Sequence, residues 1–541
     1  MMTRNTQARR ARKFSARTLI ALFGIALCLQ PIHRAQAGPA TNTAGEPQIV
    51  LDLNSAVRVG IANDFALRSI AYRKEAARQL LTERWRAYLP SVGVSFDRTR
   101  TINDADPDAL TSEIRLTIEQ LVYDGGQRAL DVDLAKIDAL LAEEDFKLTY
   151  AQLTRSIQNA YLDALTAHGK IQLNIKSLER AQVQLRQAQL EEQVGLSTKV
   201  QVLTIASRMR EIELAVQRAH NQYNQAIYSL KEAMNLDFKV DLRLRGDLFR
   251  DFYLEVPEVR VEELVERARS LRPEYKRSLA QIHRLKKERE ITEDEWIPRI
   301  SVGGYVGHAG EEFPLREDTW GVNFRVTFPI GSNTASTGSS LDSTRDGSTR
   351  TGSTNSQIAL FDDLGRERRS LESKTALSDS INEHNQLVNS LAIEVSRAHD
   401  NLRESWESIR IGNGRVYFQY ASIRILEKSY AAGSVRRADI LEAEIELVRA
   451  QEDLTDAIAA YLKAVHEIEF VSALEAGALN LYRVKPGEGN TLPGKLLSGD
   501  FDQIEQQGKQ DLDPGRIREQ YLEKDRNDAN ETYQINRVPL D

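Results

Sequence analysis

Cysteine is almost absent from this sequence, which contains only Cys28 among 541 residues. That residue lies in an N-terminal segment with a basic front, an apolar run from Leu19 to Leu29 and a small-residue cleavage site at Ala35-Gln36-Ala37. This order is typical of a secretory signal peptide, so residues 1–37 are predicted to be removed. The exported chain would then contain no disulfide, and its stability would come from burial and assembly.

Long apolar runs, basic patches and catalytic constellations are also missing. Beyond the first segment, no window has the roughly 18 consecutive apolar residues of a membrane helix, so a membrane role would need a β-barrel. The net charge of −7 leaves no basic patch for nucleic acid. The eight histidines are scattered, and no Gly-rich phosphate loop precedes a helix. The sequence therefore predicts neither an enzyme nor a metal or other cofactor site.

What the sequence contains instead is an internal duplication. The segment Trp85–Val94 returns as Trp296–Gly304, and Gly195–Leu203 returns as Gly433–Leu441. The two halves regain the same register once a Ser/Thr/Gly-rich insert at 332–358 is removed. One order of elements repeated along a chain predicts two copies of the same structural unit.

The duplication divides the chain into regions. They are a linker (38–49), a first repeat (50–254), a second repeat that holds the insert (255–474), and a polar C-terminal tail (475–541). Each repeat is expected to contain a helix pair, a β-hairpin and a long helical hairpin. The insert and the tail are too rich in small and polar residues to bury a core, so both are expected to be disordered.

Four segments alternate strictly between apolar and polar residues. They are 92–96, 113–119, 300–306 and 322–328. Period two over nearly ten residues indicates a β-strand, and this length suits a tilted membrane strand with one apolar face. The charged residues Arg115, Glu119 and Arg325 fall on the polar face and are predicted to line a wet lumen.

After each strand pair, the apolar spacing becomes helical. From Gly126 to Gln193 there is no proline, and only Gly169 interrupts the pattern, which predicts a helix of roughly 100 Å. Helices of that length are typical of coiled coils. The predicted fold class is therefore mainly α with a small β part, with long antiparallel coiled-coil helices and four membrane β-strands per protomer.

Four strands cannot span a membrane alone, because their edges would present unpaired N–H and C=O groups to hydrocarbon. A closed barrel needs at least about eight strands, and a conducting barrel needs more. Two copies would enclose an interior largely filled by side chains, whereas three copies would form a 12-stranded β-barrel on an α-helical barrel. These arguments favour three or more copies over two.

The sequence resembles the TolC-like outer-membrane efflux protein family over residues 50–474. The resemblance is carried by Leu51–Val57, Ala87–Ser91, Gln120–Arg128 and the two glycine turns that follow the long helices. It implies a homotrimer with a 12-stranded barrel in outer-membrane lipid and an α-helical tunnel across the periplasm. It also implies a passive exit duct for tripartite efflux or type I secretion, with a periplasmic adaptor and an inner-membrane pump as partners.

The resemblance assigns roles to residues at the glycine turns. The adaptor is expected to dock on Val194, Gly195, Leu196, Ala432, Gly433 and Ser434. A glycine between two helices also supplies the positive φ that ends the first helix. The turn itself therefore explains both glycines as well as adaptor docking does. Near the turns, Asp439 and Glu442 correspond to the acidic rings that narrow the family's tunnel. They lie on one helix face, where a trimer would form rings attractive to cations, and a solvated charge pair is the alternative.

Closure of the tunnel is where the sequence departs from the family. Tyr430 matches a gating tyrosine, but Val435 stands where the best-known member has its latch arginine. Basic residues stand instead at Arg436 and Arg437. Pairing of either one with Asp439 is a candidate for a different latch.

The alternative interpretation is a periplasmic coiled-coil structural or adaptor protein that does not span the membrane. Its sheet would then be soluble, with one wet face. The four alternating segments distinguish the two interpretations, because an adaptor does not need two apolar-faced hairpins placed symmetrically in a duplicated chain. We therefore expect a location in the bacterial outer membrane, with a large periplasmic portion.

Overall fold

The computed structural model describes residues 48–102, 109–293, 297–330, 333–343, 350–361, 365–487 and 491–498. The predicted signal peptide (1–37) and most of the predicted linker (38–49) lie outside these residues. Within the described ranges, no helix has an apolar window long enough to cross a membrane.

Both halves of the chain contain a helix pair, a β-hairpin and a long helical hairpin in that order, and the second half has one added β-hairpin. The first half contains β1 Gln48–Leu51, α1 Leu53–Asn63, α2 Phe65–Arg86, β2 Ser91–Thr101, β3 Ala109–Tyr123, α3 Gln127–Gln193, α4 Lys199–Ala233, β4 Asp241–Leu244 and β5 Phe252–Leu254. The second half contains α5 Val261–Leu271, α6 Pro273–Glu293, β6 Arg299–Gly310, β7 Glu317–Ile330, β8 Asn333–Ser343, β9 Arg350–Ala359, α7 Arg366–Ala431, α8 Arg437–Val471, β10 Tyr482–Val484 and α9 Thr491–Ser498.

Side-chain caps explain where several helices begin. Asp52 precedes α1 and accepts a hydrogen bond from the Ser55 N–H at 2.7 Å, while Ser55 Oγ accepts one from the Asp52 N–H at 2.8 Å. Thr198 and Gln201 form the same reciprocal box at the start of α4. Each box satisfies two backbone donors that the first helical turn leaves unpaired.

The four long helices lie side by side in the order α4, α3, α8, α7. α3 packs against both α4 and α8, and α8 packs against α7. Closer to the strands, α2 packs on α3, and α6 contacts α3 and α7. The main core includes Tyr161 on α3 and Tyr461 on α8, whose hydroxyls donate to the carbonyls of Arg245 and Glu255 at 2.8 and 2.6 Å. α4 and α7 are therefore the outer helices of this layer.

The larger sheet is antiparallel throughout and has six strands in the order β2-β3-β6-β7-β8-β9. Its first four strands form at the segments that alternate in the sequence. Val94, Leu116, Val306 and Trp320 make one apolar row across these four strands. The opposite face carries polar and charged side chains, so this part of the sheet is two-faced.

The predicted disorder of the insert at 332–358 is wrong for the residues described. Asn333–Ser343 and Arg350–Ala359 form a β-hairpin that raises the number of strands in the sheet from the predicted four to six. The prediction rests on the inability of small polar residues to bury a core. Strand pairing needs no core, because the edge of β7 satisfies the backbone groups of β8 along Gly321–Ile330.

The predicted disorder of the tail at 475–541 is also wrong for its first part. β10 pairs with β5, and α9 buries Leu496 and Leu497. Gln451 on α8 donates its side-chain N–H to the Leu496 carbonyl at 2.9 Å. A few apolar side chains are enough to dock these short elements, although the surrounding sequence is polar. Residues 488–490 and 499–541 lie outside the described part.

Candidate functional site

Two glycine turns join the long helices at the end opposite the sheet. Gly195 has φ +79° and Gly433 has φ +76°. The Leu196 N–H donates to the Glu191 carbonyl at 2.8 Å, and the second turn closes in the same way at 3.0 Å. This closure needs a residue in the left-handed conformation, which glycine adopts without strain. The turn geometry alone therefore accounts for both glycines.

The six residues predicted to dock an adaptor are all exposed at these turns. They are Val194, Gly195, Leu196, Ala432, Gly433 and Ser434. A Cβ atom placed on Gly195 or Gly433 would meet no atom within 4 Å. A larger side chain therefore has space at either position, and its cost would come from the positive φ.

One group of polar side chains, which we call the tip cluster, ties α3 to α7 and α8. It consists of Gln187, Glu191, Tyr430 and Arg437. Tyr430 Oη lies 2.8 Å from both carboxylate oxygens of Glu191. Arg437 donates from Nε to Glu191 at 3.3 Å and from Nη1 to Gln187 at 2.7 Å, and its Nη2 also pairs with Glu191. Its guanidinium lies 4.6 Å from the centre of the Tyr430 ring.

The structure places the two candidate latch arginines in different roles. Arg436 pairs with Asp439 at 3.0 Å, but these residues are three apart at the start of α8, so the pair cannot join two helices. Arg437 does not take Asp439 as its partner but pairs with Glu191 across the helices. Glu191 is not among the residues predicted from the sequence, because an acidic pair such as Glu191-Glu192 on a long helix normally faces solvent and no local signal connects it to the second repeat.

The tip cluster changes the acidity of its own members. Partial burial raises the pKa of Glu191, but the hydrogen bonds from Arg437 and Tyr430 and the Arg437 charge outweigh burial and hold this pKa below its ordinary value. Burial, followed by the hydrogen bond to Glu191, raises the pKa of Tyr430. The carboxylate is therefore ionised and the phenol protonated at neutral pH, which is the state that the hydrogen bonds require.

Asp439 and Glu442 lie close together on α8, but each has a basic neighbour. Asp439 accepts a hydrogen bond from the Arg436 N–H at 3.1 Å in addition to its ion pair. Glu442 lies 3.0 Å from Arg208 Nη2, which comes from α4. Both carboxylates remain partly exposed. They can still act on ions in solution, with a weaker local field than that of unpaired acids.

The three charged residues predicted for the lumen share the polar face of the sheet. Arg115 donates to Glu113 at 2.7 Å and lies 4.7 Å from the centre of the Tyr305 ring. Glu119 and Arg325 are exposed on the same face, on β3 and β7. The face opposite the apolar rows is therefore charged and hydrogen-bonded.

Titratable groups buried in the helical core have structural partners. Burial lowers the pKa of His466 to about 4, and its Nε2 lies 2.5 Å from Tyr482 Oη. Burial raises the pKa of Glu469, which accepts hydrogen bonds from the backbone of Gly477 and Leu479. Among the described residues, no group of three or more His, Cys, Asp or Glu side chains is arranged to hold a metal ion.

Comparison with known proteins gives the class to which this arrangement is similar. Residues 58–236 match the model of the outer membrane efflux protein family. This segment runs from α1 to the end of α4 and contains the first β-hairpin and the first glycine turn. No curated protein matches the sequence.

Solved structures of similar fold include two outer-membrane channels and an outer-membrane protein. The CmeC channel of Campylobacter jejuni is 13% identical with a TM-score of 0.62, over 78% of this chain and 85% of that chain. The open-state MtrE channel of Neisseria gonorrhoeae is 14% identical with a TM-score of 0.62, over 78% and 89%. VceC of Vibrio cholerae is 12% identical with a TM-score of 0.62, over 78% and 95%.

Identities this low show the shared fold alone. Together with the family match, they confirm the resemblance to the TolC-like outer-membrane efflux proteins that the sequence predicts.

Proposed function

We propose that three copies of this chain form a passive exit duct across the outer membrane and the periplasm. A periplasmic adaptor and an inner-membrane pump would open the duct for efflux or type I secretion. The proposal depends above all on the two-faced sheet, which is continuous with helices long enough to form a tunnel. The apolar face would contact outer-membrane lipid, and the polar face would line the lumen.

The apolar face of the sheet is strongly exposed in a single chain. Val94, Phe96, Val322 and Phe324 are 74%, 54%, 49% and 45% exposed. A contiguous apolar surface of this kind is unfavourable in water and marks a contact with lipid or protein. Because the exposed rows cross β2, β3, β6 and β7, they fit the outward band of a membrane barrel.

The outer helices also carry strongly exposed apolar side chains. On α7, Ile411, Phe418 and Ile425 recur every seven residues and are 61%, 61% and 64% exposed. On α4, Leu203 and Leu214 are exposed as well. A heptad stripe is the seam of a coiled coil. We therefore pair α7 of one copy with α4 of the next, a head-to-tail contact that closes into a ring.

The test is the conductance of purified, signal-cleaved protein in a planar bilayer, together with chemical cross-linking of its oligomers. We expect trimers and discrete steps that prefer cations. Asp439→Asn with Glu442→Gln should lower the cation preference if these carboxylates form the constriction. The matched control is Asp453→Asn with Asp456→Asn, which removes the same charge at the same spacing, roughly 20 Å further along α8.

Two results would contradict parts of this proposal. Equal selectivity of both double variants would reject the constriction at Asp439 and Glu442 but leave the duct intact. A protein that releases with the periplasm, and stays silent even when the tip cluster is broken, would reject the duct. It would favour the periplasmic coiled-coil interpretation.

Adaptor docking at the glycine turns is a separate prediction. Gly195→Trp or Gly433→Trp should abolish export in cells while trimers remain intact, because the indole would obstruct an exposed docking surface. Gly195→Ala and Gly433→Ala are the controls, since they introduce the same backbone strain without the bulk. If alanine and tryptophan reduce export equally, the glycines serve the turn and not the docking.

A further inference from the structure

The β8–β9 hairpin occupies the edge of β7 over most of its length. β8 pairs with β7 from Asn333, which lies opposite Ile330, to Asp342, which lies opposite Gly321. β9 pairs in turn with the other edge of β8. In the described part of the sheet, this leaves β2 and β9 as the edge strands. The hairpin therefore stands where a barrel made of four-stranded units would place its neighbouring copy.

The side chains of the hairpin do not suit lipid. On the face that continues the apolar rows of β7, its central residues are Thr337, Ser339, Thr354 and Ser356. They form two cross-strand hydroxyl pairs at 3.0 and 3.1 Å, and the opposite face has a third pair at 2.8 Å, between Ser340 and Ser353. Barrel strands in a membrane instead carry apolar side chains outward. Leu341, Ala335 and Ile358 continue the apolar rows toward the two ends of the hairpin, but at its centre both faces match water better than hydrocarbon.

Side-chain contacts at one end of the hairpin anchor it to the strands beside it, and in one of them the Arg350 guanidinium on β9 lies 5.6 Å from the centre of the Trp320 ring on β7. Tyr305 on β6 reaches across β7 and donates to Asp342 Oδ1 on β8 at 3.0 Å. Tyr305 passes over Gly321, where a Cβ would clash with both Asp342 Oδ1 and the Tyr305 ring. The second carboxylate oxygen of Asp342 accepts from Ser340 Oγ at 2.8 Å. The hairpin is therefore held by defined side-chain contacts at the end where Asp342 and Arg350 lie, and along the rest of β8 mainly by backbone pairing with β7.

We infer that this hairpin covers the edge of β7 in the single chain. When the barrel closes, the hairpin leaves this edge, and β2 of a second copy pairs with β7 in its place. The inference rests on the proposed trimeric duct. β2 is suited to the exchange because it has 11 residues, as β8 has. Both strands also run antiparallel to β7, since β2 has the direction of β6. The replacement therefore preserves an antiparallel ladder.

The surrounding medium decides which strand is preferred at this edge. β8 and β2 would make the same kind of backbone hydrogen bonds with β7, so the difference in free energy between the two pairings comes from their side chains. Val92, Val94 and Phe96 of β2 are apolar, whereas the central positions of β8, Thr337 and Ser339, place hydroxyls opposite Val326 and Phe324. In water the hairpin shields an edge that would otherwise pair with any exposed strand. In lipid β2 is favoured, because it removes hydroxyls from hydrocarbon.

A disulfide lock tests the exchange, because the only native cysteine lies in the predicted signal peptide. Asn323→Cys with Ser340→Cys joins registered positions on β7 and β8 and holds the hairpin on its edge. The control, Ser340→Cys with Ser353→Cys, shares one cysteine but joins β8 only to β9. Each full-length protein is reconstituted into liposomes, oxidised or reduced, and assayed for trimers and for conductance.

We expect the oxidised lock to form at least tenfold fewer trimers than its reduced form, while the control forms trimers in both states. Normal trimers from the oxidised lock would overturn this inference but not the proposed duct. They would mean that the hairpin remains in the barrel wall as two further strands in each copy.

Deletion of residues 333–358 gives a second measurement. Unchanged conductance supports the exchange, and a several-fold fall contradicts it. If wild type yields neither trimers nor conductance, the proposed duct itself is refuted, and the inference with it.

Discussion

At the scale of single residues, the tip cluster is the contact best placed to control the helical turns. Glu191 belongs to α3, whereas Tyr430 and Arg437 belong to α7 and α8, so their pairing resists separation of the two helical hairpins. The pair is largely shielded, with 16% and 24% of the Arg437 and Glu191 side chains exposed. Hydrogen bonds to charged groups in such positions contribute about 1.5–3 kcal/mol. This is enough to shift an opening equilibrium tenfold or more.

We therefore predict that Arg437→Ala raises the open probability of the duct on the order of tenfold in planar bilayers, by removing the contact that joins α8 to α3. Arg436→Ala is the matched control, because Arg436 pairs with Asp439 on its own helix. If both variants conduct like wild type, the tip cluster does not hold the closed state.

The acidity of Glu191 leads to a second prediction, on pH. Because its folded pKa is lowered, the carboxylate contributes its full stabilisation above the ordinary glutamate pKa of about 4.3, and this contribution is lost as the pH falls through the lowered value. Conductance should stay constant from pH 7 to about pH 5 and rise only below about pH 4. The rise should be absent in Glu191→Gln, which is open already. A rise between pH 7 and pH 6 would point to a different titrating group.

At the scale of elements, β7 carries side chains of opposite character on its two faces. Phe324 and Asn323 are adjacent and both exposed in the protomer, yet the register places them on opposite faces of the sheet. We predict that Phe324→Arg reduces insertion of the protein into the outer membrane, since a cation on the lipid face near the midplane costs about 2–4 kcal/mol.

Asn323→Arg carries the same charge to the other face and should insert normally, with a shift in ion selectivity. Membrane fractionation and bilayer recording of the two variants make the comparison. Equal insertion of both would mean that neither face contacts lipid.

At the scale of the whole molecule, the exposed stripe on α7 predicts assembly. Phe418→Glu should leave the protomer folded, because the side chain is exposed there, but it should weaken the trimer by about 2 kcal/mol at each interface. Helicity by circular dichroism tests the fold, and sedimentation tests the oligomer. Gln419→Glu, one position off the stripe, is expected to keep the trimer. Loss of trimers in both variants would place the interface elsewhere.

Periodic features of this protein are determined by the sequence alone. The alternation at 92–96 and 322–328 and the long helical spacing after Gly126 are local patterns, and the structure has strands and helices there. Gly195 and Gly433 predict the two turns between the long helices, because few other residues accept a positive φ. Local periods depend only on neighbouring residues, so they can be read without knowing what each element packs against.

Choices between distant partners required the tertiary structure. Glu191 and Arg437 are 246 positions apart, and neither residue carries a signal that selects the other. The hydroxyl-rich insert looks disordered in the sequence because it lacks apolar residues, yet it forms strands because the edge of β7 offers backbone partners. Pairing at an edge depends on backbone groups that every residue shares. Only the arrangement of the elements in space therefore decides which segment takes that edge.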